Sequence, residues 1–593
     1  MSKITGLVLA ALAAALSLEA VAQESRVLVN HLGYECRAAK KAVVAAPAVP
    51  ALERFALMDS SGRTVLEGKV ARAGMVPGWK GRHFWIADFS SWRTPGRYRI
   101  AVSGATAVSE PFEVGDGLLA DVCLSDILFY FKGQRCSGEY DAFDRRVPFF
   151  GGRQGTVDVH GGWFDASGDD SKYLTHLSYA SFMNPQQQPQ VVWNLLAAAD
   201  LLRGSKRERL RGLVRRCEDE ARHGADFLVR MQDPEGYFYT TVHDVWTHEP
   251  KDRTICSFRL QTGERDDRYK AGWRMGAGSA IAALARASTL GGGGEFPASV
   301  YLAAALRGFR HLRKHNREVL PDGRENIIDD YCALLAACEL YRATGEAEFL
   351  EAARSRSASL CLRLSRDERH EGWWRADDKG ERPFWHAVEA GLPVVALLRY
   401  LEVEPAASRR PQVLGAISAS LKFELGITSE VVNPFGLARQ YVQGTKSPRR
   451  AAFFMPHDNE SGYWWQGENA RLASLAAAAL LAARTFGEPV GEVLRRYGVD
   501  QLDWILGLNP FDVCMLQGRG RNSPDYLPGF PNAPGGICNG VTSGVDDAND
   551  IAFLPPPWDA NPSHNWRWSE QWLPHGAWMF LALSALESAL AAE

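Results

Sequence analysis

The chain has 593 residues, of which 46% are hydrophobic and 23% are charged, values typical of a folded globular protein. This length predicts at least two folding units and excludes a disordered or fibrous chain. A formal charge of −3 provides no positive field for binding nucleic acid or anionic lipid. The 18 Trp residues are numerous for this length, and indole rings stack well on the C–H faces of sugars.

Residues 1–22 have the pattern of a secretory signal peptide. Lys3 precedes an apolar run from Gly6 to Leu18, and the segment ends in small residues at Ala20 and Ala22. The run is shorter than the roughly 20 residues that span a bilayer. We therefore expect cleavage after Ala22 and a secreted or periplasmic protein without a membrane span; a retained signal anchor is the alternative.

The ten cysteines do not have the spacing of a disulfide framework or of a C-x-x-C metal site. Cys332 and Cys338 stand among apolar residues at helical spacing, which indicates buried small hydrophobic side chains. One or two disulfides after export remain open.

Short β-rich runs separated by turn residues predict a small β-sandwich over residues 23–115. The runs begin at Val27, Lys41, Phe55, His83 and Arg97. We expect the domain boundary near Gly115-Asp-Gly117.

The rest of the chain, residues 116–593, has apolar residues at helical spacing, which predicts twelve helices. They lie near 124–131, 188–203, 208–231, 273–290, 298–313, 328–344, 347–365, 384–401, 409–423, 467–485, 489–507 and 572–590. Several are apolar on more than one face, which is typical of helices packed between other helices. Twelve helices can close as six hairpins into a double-ringed α/α barrel; an open solenoid is the alternative, disfavoured by the lack of a fixed repeat.

Four long non-helical stretches hold most of the Trp residues and turn sequences: 133–187, 233–272, 424–466 and 508–570. Connections this long in a compact domain usually carry function. We expect all four to gather on one rim of the barrel.

In the first stretch, Asp165 and Asp169 lie four residues apart in a Gly-rich segment. Two such carboxylates can converge on one water molecule or metal ion. An ordinary Asx-turn loop, a water-activating pair and a calcium loop all fit this spacing.

In the last stretch, Glu570 is surrounded by Trp566, Trp568 and Trp572 at the predicted start of the last helix. Apolar neighbours raise the pKa of a carboxyl group, as a general acid at neutral pH requires. A helix N-terminus would favour the anion, so helix capping is the alternative.

The segment 455–469 is rich in polar and aromatic residues and contains His457 and the tandem Trp464 and Trp465. The tandem rings can stack on a sugar or anchor a long connection.

Several common motifs are missing from the chain. A G-x-S-x-G elbow, a P-loop and a dinucleotide-binding G-x-G-x-x-G are all absent, which excludes serine hydrolases and nucleotide-binding enzymes. His243, His248 and His457 lack metal-ligand spacing, so we interpret them as structural or substrate-contacting residues.

Four segments spread nearly end to end match motifs of one known family. They are Arg26-Val-Leu-Val-Asn-His-Leu-Gly-Tyr34, Gly161-Gly-Trp-Phe-Asp165-Ala-Ser-Gly-Asp169-Asp-Ser-Lys172-Tyr173, Leu506-Gly-Leu-Asn-Pro510, and Ser569-Glu570 followed by Gly576-Ala577. On these segments the chain resembles glycoside hydrolase family 9, the cellulase and endoglucanase family, with a cellulase-type immunoglobulin-like domain in front.

The resemblance implies an (α/α)6 barrel and inverting hydrolysis of β-linked glucans without a cofactor; a structural calcium ion, as in relatives, is left open. It implies that Asp169 is the general base, that Asp165 helps to position the attacking water, and that Glu570 is the general acid. An inverting enzyme keeps its acid and base about 6.5–9.5 Å apart to admit that water. The candidate sugar contacts are Trp163, His457, Trp464, Trp465 and Asp525.

The chain departs from the family pattern in two places. One residue is inserted, giving D-A-S-G-D for D-A-G-D, so Asp170 competes for the role of base; the spacing to Lys172 favours Asp169. The family segment P-x-x-x-H-H-R is replaced by residues 519–530, which leaves the exact glycan and endo or exo action open. Asp525 in this segment could pair with a glucosamine ammonium group.

We therefore expect a secreted inverting glycoside hydrolase that cleaves β-1,4-glucosidic bonds in glucans or oligosaccharides, in the manner of an endoglucanase. An exo-acting β-glucosaminidase or β-glucosidase of the same fold is the first alternative. A non-catalytic glycan-binding protein is the second. The expected partner is the glycan alone, with no nucleic acid, and the sequence does not indicate an oligomeric state.

Overall fold

A computed structural model describes residues 25–47, 52–103, 107–380, 382–462, 464–554 and 561–591. The N-terminal part is built from eight strands. They are β1 (Arg26–Leu28), β2 (Tyr34–Glu35), β3 (Lys41–Ala46), β4 (Arg54–Asp59), β5 (Thr64–Gly74), β6 (His83–Asp88), β7 (Gly96–Val102) and β8 (Phe112–Gly115). All five predicted β-rich runs are strands, whereas β2, β5 and β8 were not predicted.

The strands pair in the order β1-β3-β6-β5-β4-β7-β8-β2, with only β2 and β8 parallel. The long β5 pairs with β4 through its first half and with β6 through its second half. Buried residues from both halves of the ladder, such as Val44, Leu57 and Ile100, form one apolar cluster. The ladder therefore folds over into two packed layers, as an immunoglobulin-like sandwich does.

Helices follow from Leu118 onwards. They are α1 (Leu118–Gly133), α2 (Gly138–Phe143), α3 (Gln188–Arg203), α4 (Glu208–Arg230), α5 (Ala277–Ala287), α6 (Ala298–Val319), α7 (Ile327–Thr344), α8 (Ala347–Cys361), α9 (Leu392–Val403), α10 (Arg410–Ser429), α11 (Asn469–Phe486), α12 (Val490–Ile505), α13 (Pro562–Ser569) and α14 (Leu573–Ala591). All twelve predicted helices are present, and α2 and α13 are short additions inside the long connections.

Twelve of these helices form two concentric rings. The inner ring is α3, α5, α7, α9, α11 and α14, each packed on the next, and α14 closes the circle on α3. The outer ring is α4, α6, α8, α10, α12 and α1, each packed on its inner partner. The (α/α)6 barrel is therefore confirmed, and the open solenoid is wrong.

Side-chain patterns explain which helices lie inside. Along α11, from Asn469 to Phe486, the Ala-rich sequence is buried on nearly every side, because small side chains allow neighbouring helices to approach closely. The outer helix α4 instead buries one stripe, including Leu210 and Cys217, and turns charged residues to solvent. An Ala-rich, apolar composition thus marks a helix of the inner ring, and a single apolar stripe at helical spacing marks a helix of the outer ring.

One helix begins later than predicted. The segment near 384–401 is helical only from Leu392, with Pro393 in its first turn. Proline fits there because the first N–H groups of a helix have no intrahelical partner.

The sandwich is fastened to the barrel through β3. Val44 on one face of β3 belongs to the sandwich core, whereas Val43 on the other face joins the barrel core. Beside this strand, Asn30 Nδ2 donates a hydrogen bond to Asp503 Oδ1 of α12 at 2.7 Å. The two folding units therefore share an apolar interface.

Short strands stiffen the long connections. They are β9 (Val147–Pro148), β10 (Thr156–Val157), β11 (Lys172–Tyr173), β12 (Phe238–Tyr239), β13 (Thr241–His243), β14 (Thr254–Phe258), β15 (Arg265–Asp266), β16 (Lys270–Ala271), β17 (Leu364–Arg366), β18 (Glu371–Trp374), β19 (Gln440–Val442), β20 (Arg450–Ala452), β21 (Thr542–Ser543) and β22 (Ile551–Ala552).

All ten cysteines are free thiols in the structure, and Cys332 and Cys338 are fully buried, as predicted. Within the described ranges, no helix combines the length and the apolar character needed to cross a bilayer. The predicted signal peptide, residues 1–22, lies outside the described residues.

Candidate active site

A cleft of about 600 Å³ opens at the end of the barrel where the inner helices begin. All four predicted non-helical stretches contribute to its wall. The lining includes Asp165, Asp169, His176, Trp246, Gln261, Trp464, Gln466, Tyr526, Phe530, Trp566, Glu570 and Trp572. The structure therefore brings the three predicted carboxyl groups together in one cleft.

Backbone pairing holds the two acidic segments against each other. Ser167 N donates to Gln571 O at 2.9 Å, and Gln571 N donates to Ser167 Oγ at the same distance. Next to them, Leu573 N donates to the backbone oxygen of Asp165 at 3.1 Å. The residue inserted relative to the family pattern thus lies in the turn that is bonded to the segment carrying Glu570.

Asp165 is buried, with only 3% of its surface exposed. Its Oδ1 accepts a hydrogen bond from Gln187 Nε2, and its Oδ2 accepts one from Trp572 Nε1, both at 2.7 Å. Burial and the charge of Asp169 raise the pKa of Asp165 well above its usual value. The two donors fix the direction of this carboxyl group in the cleft wall.

Asp169 is more accessible and has three donors. Ser171 N donates to Oδ1 at 2.8 Å, while Tyr173 Oη and Trp246 Nε1 donate to Oδ2 at 2.6 and 3.0 Å. Burial and the charge of Asp244 raise the pKa of Asp169 to about 6, against the effect of these donors. At neutral pH the group is therefore a carboxylate that can accept a proton, as a general base must.

Asp170, the competing candidate, is engaged elsewhere. Its Oδ2 accepts hydrogen bonds from Tyr140 Oη at 3.0 Å and from His248 Nδ1 at 2.8 Å. Although burial raises it, these bonds hold the pKa of Asp170 below its usual value. Asp170 is not part of the cleft wall, whereas Asp169 is, so the geometry favours Asp169 as the base.

The sequence predicts Glu570 at the start of the last helix, but in the structure it lies before that helix. It has extended backbone angles, φ −63° and ψ 134°, and connects the end of α13 to α14. The segment from Pro562 to Ser569 forms the unpredicted helix α13, which displaces Glu570 from a capping position. Burial, followed by the charges of Asp169 and Asp165, raises the pKa of Glu570 well above its usual value. A raised pKa favours the protonated form of the carboxyl group, which a general acid requires.

Replacing Gly168 with alanine is expected to lower kcat/KM about 100-fold, the scale of a 1 Å misplacement of reacting groups. An added Cβ would lie 2.5 Å from the Tyr526 ring and 3.1 Å from Glu570 Oε1, so these groups must move. Steady-state kinetics on a β-1,4-linked glucan oligosaccharide, the substrate class expected from the sequence, check this prediction. Gly212→Ala, on the outer helix α4 with no atom within 4 Å of the new Cβ, is the matched control. Full activity of Gly168→Ala would contradict the arrangement.

The substitution Trp246→Phe is expected to move the acidic limb of the pH profile of kcat/KM upwards. It removes the N–H that donates to Asp169, so the carboxylate loses stabilisation and its pKa rises above about 6. A base acts when deprotonated, so we expect about a threefold loss at pH 5 and little change at pH 8. Trp566→Phe is the control, because Trp566 lines the same cleft but donates to Ser563 O. An unshifted limb in Trp246→Phe would show that this bond does not tune the base.

The predicted sugar contacts have different locations. Trp464 lines the cleft. Trp163 is fully buried and donates to Glu220 Oε1 at 2.8 Å, so its predicted role as a sugar contact is wrong. Its indole packs where Gly224 of α4 leaves room, with a ring carbon 2.3 Å from the position of an added Cβ.

The other three predicted contacts also lie outside the cleft wall. His457 stacks on Trp465 at a ring distance of 3.8 Å, and its Nε2 bonds with Ser543 Oγ at 2.7 Å. The two rings pack on each other and hold the stretch 424–466 in place. Asp525 is exposed and accepts from Gln517 Nε2 at 3.2 Å, while its neighbour Tyr526 reaches the cleft instead.

Several cleft residues were not predicted, among them His176, Trp246, Tyr526 and Trp572. The concentration of Trp and Tyr in the non-helical stretches was the available signal. The partners themselves are far apart in sequence: Trp572 bonds with Asp165, 407 residues away. Pairings of this kind depend on closure of the barrel and have no local signature.

Asp170, Asp244 and His248 form a cluster in which one ligand atom from each lies within 4.8 Å of the others. Calcium takes six to eight oxygen ligands, whereas this cluster offers two carboxylates and an imidazole. His248 Nδ1 bonds with Asp170, and Asp244 Oδ1 accepts from Ser171 Oγ at 2.9 Å. These residues do not fit a calcium site.

The sequence profile of glycosyl hydrolase family 9 matches residues 121–527, and that of the cellulase N-terminal Ig-like domain matches residues 22–107. The chain belongs to glycosyl hydrolase family 9. This family 9 enzyme carries Asp165 and Asp169 inside the matched range, whereas Glu570 lies beyond it. The pairing of Glu570 with the two aspartates therefore comes from the geometry of the cleft.

Curated relatives of this family 9 enzyme extend over most of its length. A cellodextrinase from Butyrivibrio fibrisolvens is 25% identical over 88% of this chain and 91% of the relative. A xyloglucan-specific endo-beta-1,4-glucanase from Bacteroides ovatus is 24% identical over 89% of this chain and 87% of the relative. A solved Bacteroides ovatus GH9 structure superposes with a TM-score of 0.65 at 20% identity, covering 95% of this chain and 99% of that chain. The structural likeness confirms the fold.

Proposed function

We propose that this family 9 enzyme hydrolyses β-1,4-glucosidic bonds in glucans and their oligosaccharides with inversion at the anomeric carbon. The observation that carries the proposal is that Asp169, whose pKa is raised to about 6, and Glu570, whose pKa is raised well above its usual value, line the same cleft. Opposite protonation states at the same pH are what acid and base roles require. The partly exposed indole rings of Trp246 and Trp566 in the cleft wall suit the apolar faces of glucosyl units.

In the proposed reaction, Asp169 takes a proton from a water molecule whose oxygen forms the new bond to the anomeric carbon. Glu570 gives its proton to the glycosidic oxygen as the C–O bond breaks. Asp165, held by Gln187 and Trp572, orients the attacking water. One water is consumed, the proton count is unchanged, and exchange with solvent restores both carboxyl groups.

Short oligosaccharides are the favoured substrates. Tyr526, Leu527 and Phe530 of the segment 519–530 all contribute to the cleft wall. A cleft of about 600 Å³ falls within the range of sites that enclose small ligands. The cellodextrinase among the curated relatives supports the same substrate size. The exposed position of Asp525 gives no support to an ammonium-binding role in the cleft.

We further propose that the protein is exported, with cleavage after Ala22 in the pattern Ala20-Val21-Ala22. Expression of the full chain in a bacterial host with fractionation and intact-mass measurement tests this proposal. A periplasmic product that begins at Gln23 supports it, and a cytoplasmic product that retains Met1 contradicts it.

Product analysis tests the proposed activity. Purified protein is incubated separately with cellohexaose, mixed-linkage glucan and a chitosan hexamer, and the products are followed by chromatography and proton NMR. Inversion predicts that the newly formed reducing end appears first as the α anomer. Initial release of the β anomer would contradict the mechanism. Release of single end sugars would assign exo action, and turnover of chitosan alone would assign an amino-sugar substrate.

A further inference from the structure

His176 lies in the cleft wall between two tryptophan rings. Its ring centroid is 5.5 Å from that of Trp464 and 5.8 Å from that of Trp572, with edge-on geometry in both cases. The side chain is half-buried and lines the cleft. Nothing in the proposed acid and base chemistry uses this imidazole.

The hydrogen bonds of Gln187 fix the tautomer of His176. Gln187 Oε1 accepts from the backbone N–H of His176 at 2.9 Å, and a backbone N–H can only donate. Gln187 Nε2 donates to Asp165 Oδ1 at 2.7 Å, which fixes the amide orientation from its other end. Because the same Oε1 lies 3.1 Å from His176 Nδ1, this nitrogen must carry the proton.

The other ring nitrogen, Nε2, is therefore an acceptor without a proton. Among the described residues His176 makes no hydrogen bond through Nε2, and this atom is not among the buried unpartnered ones, so it faces the cleft. Burial lowers the pKa of His176 to about 4, which keeps the ring neutral under ordinary conditions.

Gln466, which is bonded to Trp464, offers the cleft a donor instead of an acceptor. Its Oε1 accepts from Trp464 Nε1 at 3.2 Å, and an indole N–H can only donate, so the amide orientation is again fixed. Its Nε2 is buried and has no partner among the described residues, although Gln466 belongs to the cleft wall. An unpaired buried donor is costly, and a ligand oxygen relieves this cost once a slight shift of the side chain brings Nε2 to the cleft surface.

We propose that His176 and Gln466, on either hand of the buried Trp464 in the contact network of the cleft wall, form a neutral acceptor and donor pair that binds hydroxyl groups of a sugar in the cleft. A hydroxyl group both donates and accepts, so a polyol can satisfy both sites at once. The pair therefore favours ligands with hydroxyl groups over ligands that can only donate or only accept hydrogen bonds. None of the three carboxyl groups takes part in this selection. The inference rests on the proposed function, because it takes the ligand of the cleft to be a glycan.

Gln187 connects this subsite to the catalytic carboxyl groups. The same amide that orients His176 also donates to Asp165, which orients the attacking water in the proposed reaction. A sugar hydroxyl bound by His176 is thereby held at a fixed position relative to the carboxyl group of Asp165. Gln187 is a positioning residue in this arrangement, since it acts through its two neighbours and not on the sugar.

Nitrogen NMR of histidine-labelled protein tests the tautomer directly. We expect His176, assigned by its loss in His176→Asn, to show a protonated Nδ1 and an unprotonated Nε2 between pH 5.5 and 8. Addition of cellobiose to the Glu570→Gln protein should shift the Nε2 resonance and leave that of Nδ1 nearly unchanged. A protonated Nε2, or a resonance unmoved by saturating cellobiose, would overturn the inference.

Binding measurements provide the second test. In the Glu570→Gln background, calorimetry should show about tenfold weaker cellobiose binding for His176→Asn, whose amide retains the bond to Gln187 but lacks the cleft acceptor. Gln466→Glu retains the acceptor for Trp464 but replaces the free donor, and a similar loss is expected. His315→Asn, exposed on α6, is the control.

The two proposals fail in different ways. Wild-type hydrolysis of cellohexaose together with unchanged cellobiose affinity in both cleft variants would overturn the subsite and leave the function intact. Absence of glucan hydrolysis with a cellobiose-dependent shift of Nε2 would overturn the proposed activity and support the subsite.

Discussion

Replacing Glu570 with glutamine is expected to lower kcat on cellotetraose by about 10³-fold, within the range contributed by a positioned general acid. The amide keeps the size of the side chain but has no proton to give to the departing oxygen. Burial and the charges of Asp169 and Asp165 raise the pKa of the native carboxyl group, which favours the proton-bearing form that the variant cannot adopt. KM should change little, because the loss occurs in the transition state.

The dependence on the leaving group makes this prediction specific. The dinitrophenolate group of a dinitrophenyl glycoside leaves without being protonated. We therefore expect Glu570→Gln to lose much less activity on such a glycoside than on cellotetraose. Glu235→Gln, at an exposed glutamate outside the cleft, should behave like the wild type. Equal losses on both substrates would show that Glu570 supports the fold or the binding of sugar and does not donate the proton.

Much of the fold was predictable because its signals are local. The inner helix α11 was recognisable from its Ala-rich sequence, which is apolar on all sides and requires neighbours all round. The strand β3 was recognisable from its run of small apolar residues. By contrast, the exposed and partly polar β5 was missed, because its burial alternates only weakly along eleven residues.

The site was predictable as a set of residue types but not as a set of contacts. Asp165 and Asp169 lie in a recognisable motif, and Glu570 stands out as a carboxyl group among tryptophans. Trp163 belongs to the same motif, yet it is buried against α4, since a large ring fits where Gly224 provides space. Which aromatic side chain faces the cleft is decided by packing across the barrel, and the sequence does not record it.

Replacing Asp169 with asparagine is expected to lower kcat by about 10³-fold or more, because the variant cannot take the proton of the attacking water. The neighbouring change Asp170→Asn should cost less than tenfold, since the Asp170 carboxylate is bonded to Tyr140 and His248 and is not itself part of the cleft wall. Steady-state kinetics on cellotetraose compare the two variants, and thermal unfolding shows whether each is folded.

The pH dependence of activity expected for Asp169 as the base differs from that expected for Asp170 as the base. If Asp169 is the base, kcat/KM falls as the pH drops through the pKa of about 6, because protonation removes the acceptor. Asp170 has a pKa below its usual value, so a base at that position would leave activity undiminished at pH 5. An acidic limb near pH 6 that persists in Asp170→Asn would identify Asp169. Activity undiminished at pH 5, together with a larger loss in Asp170→Asn than in Asp169→Asn, would assign the base to Asp170.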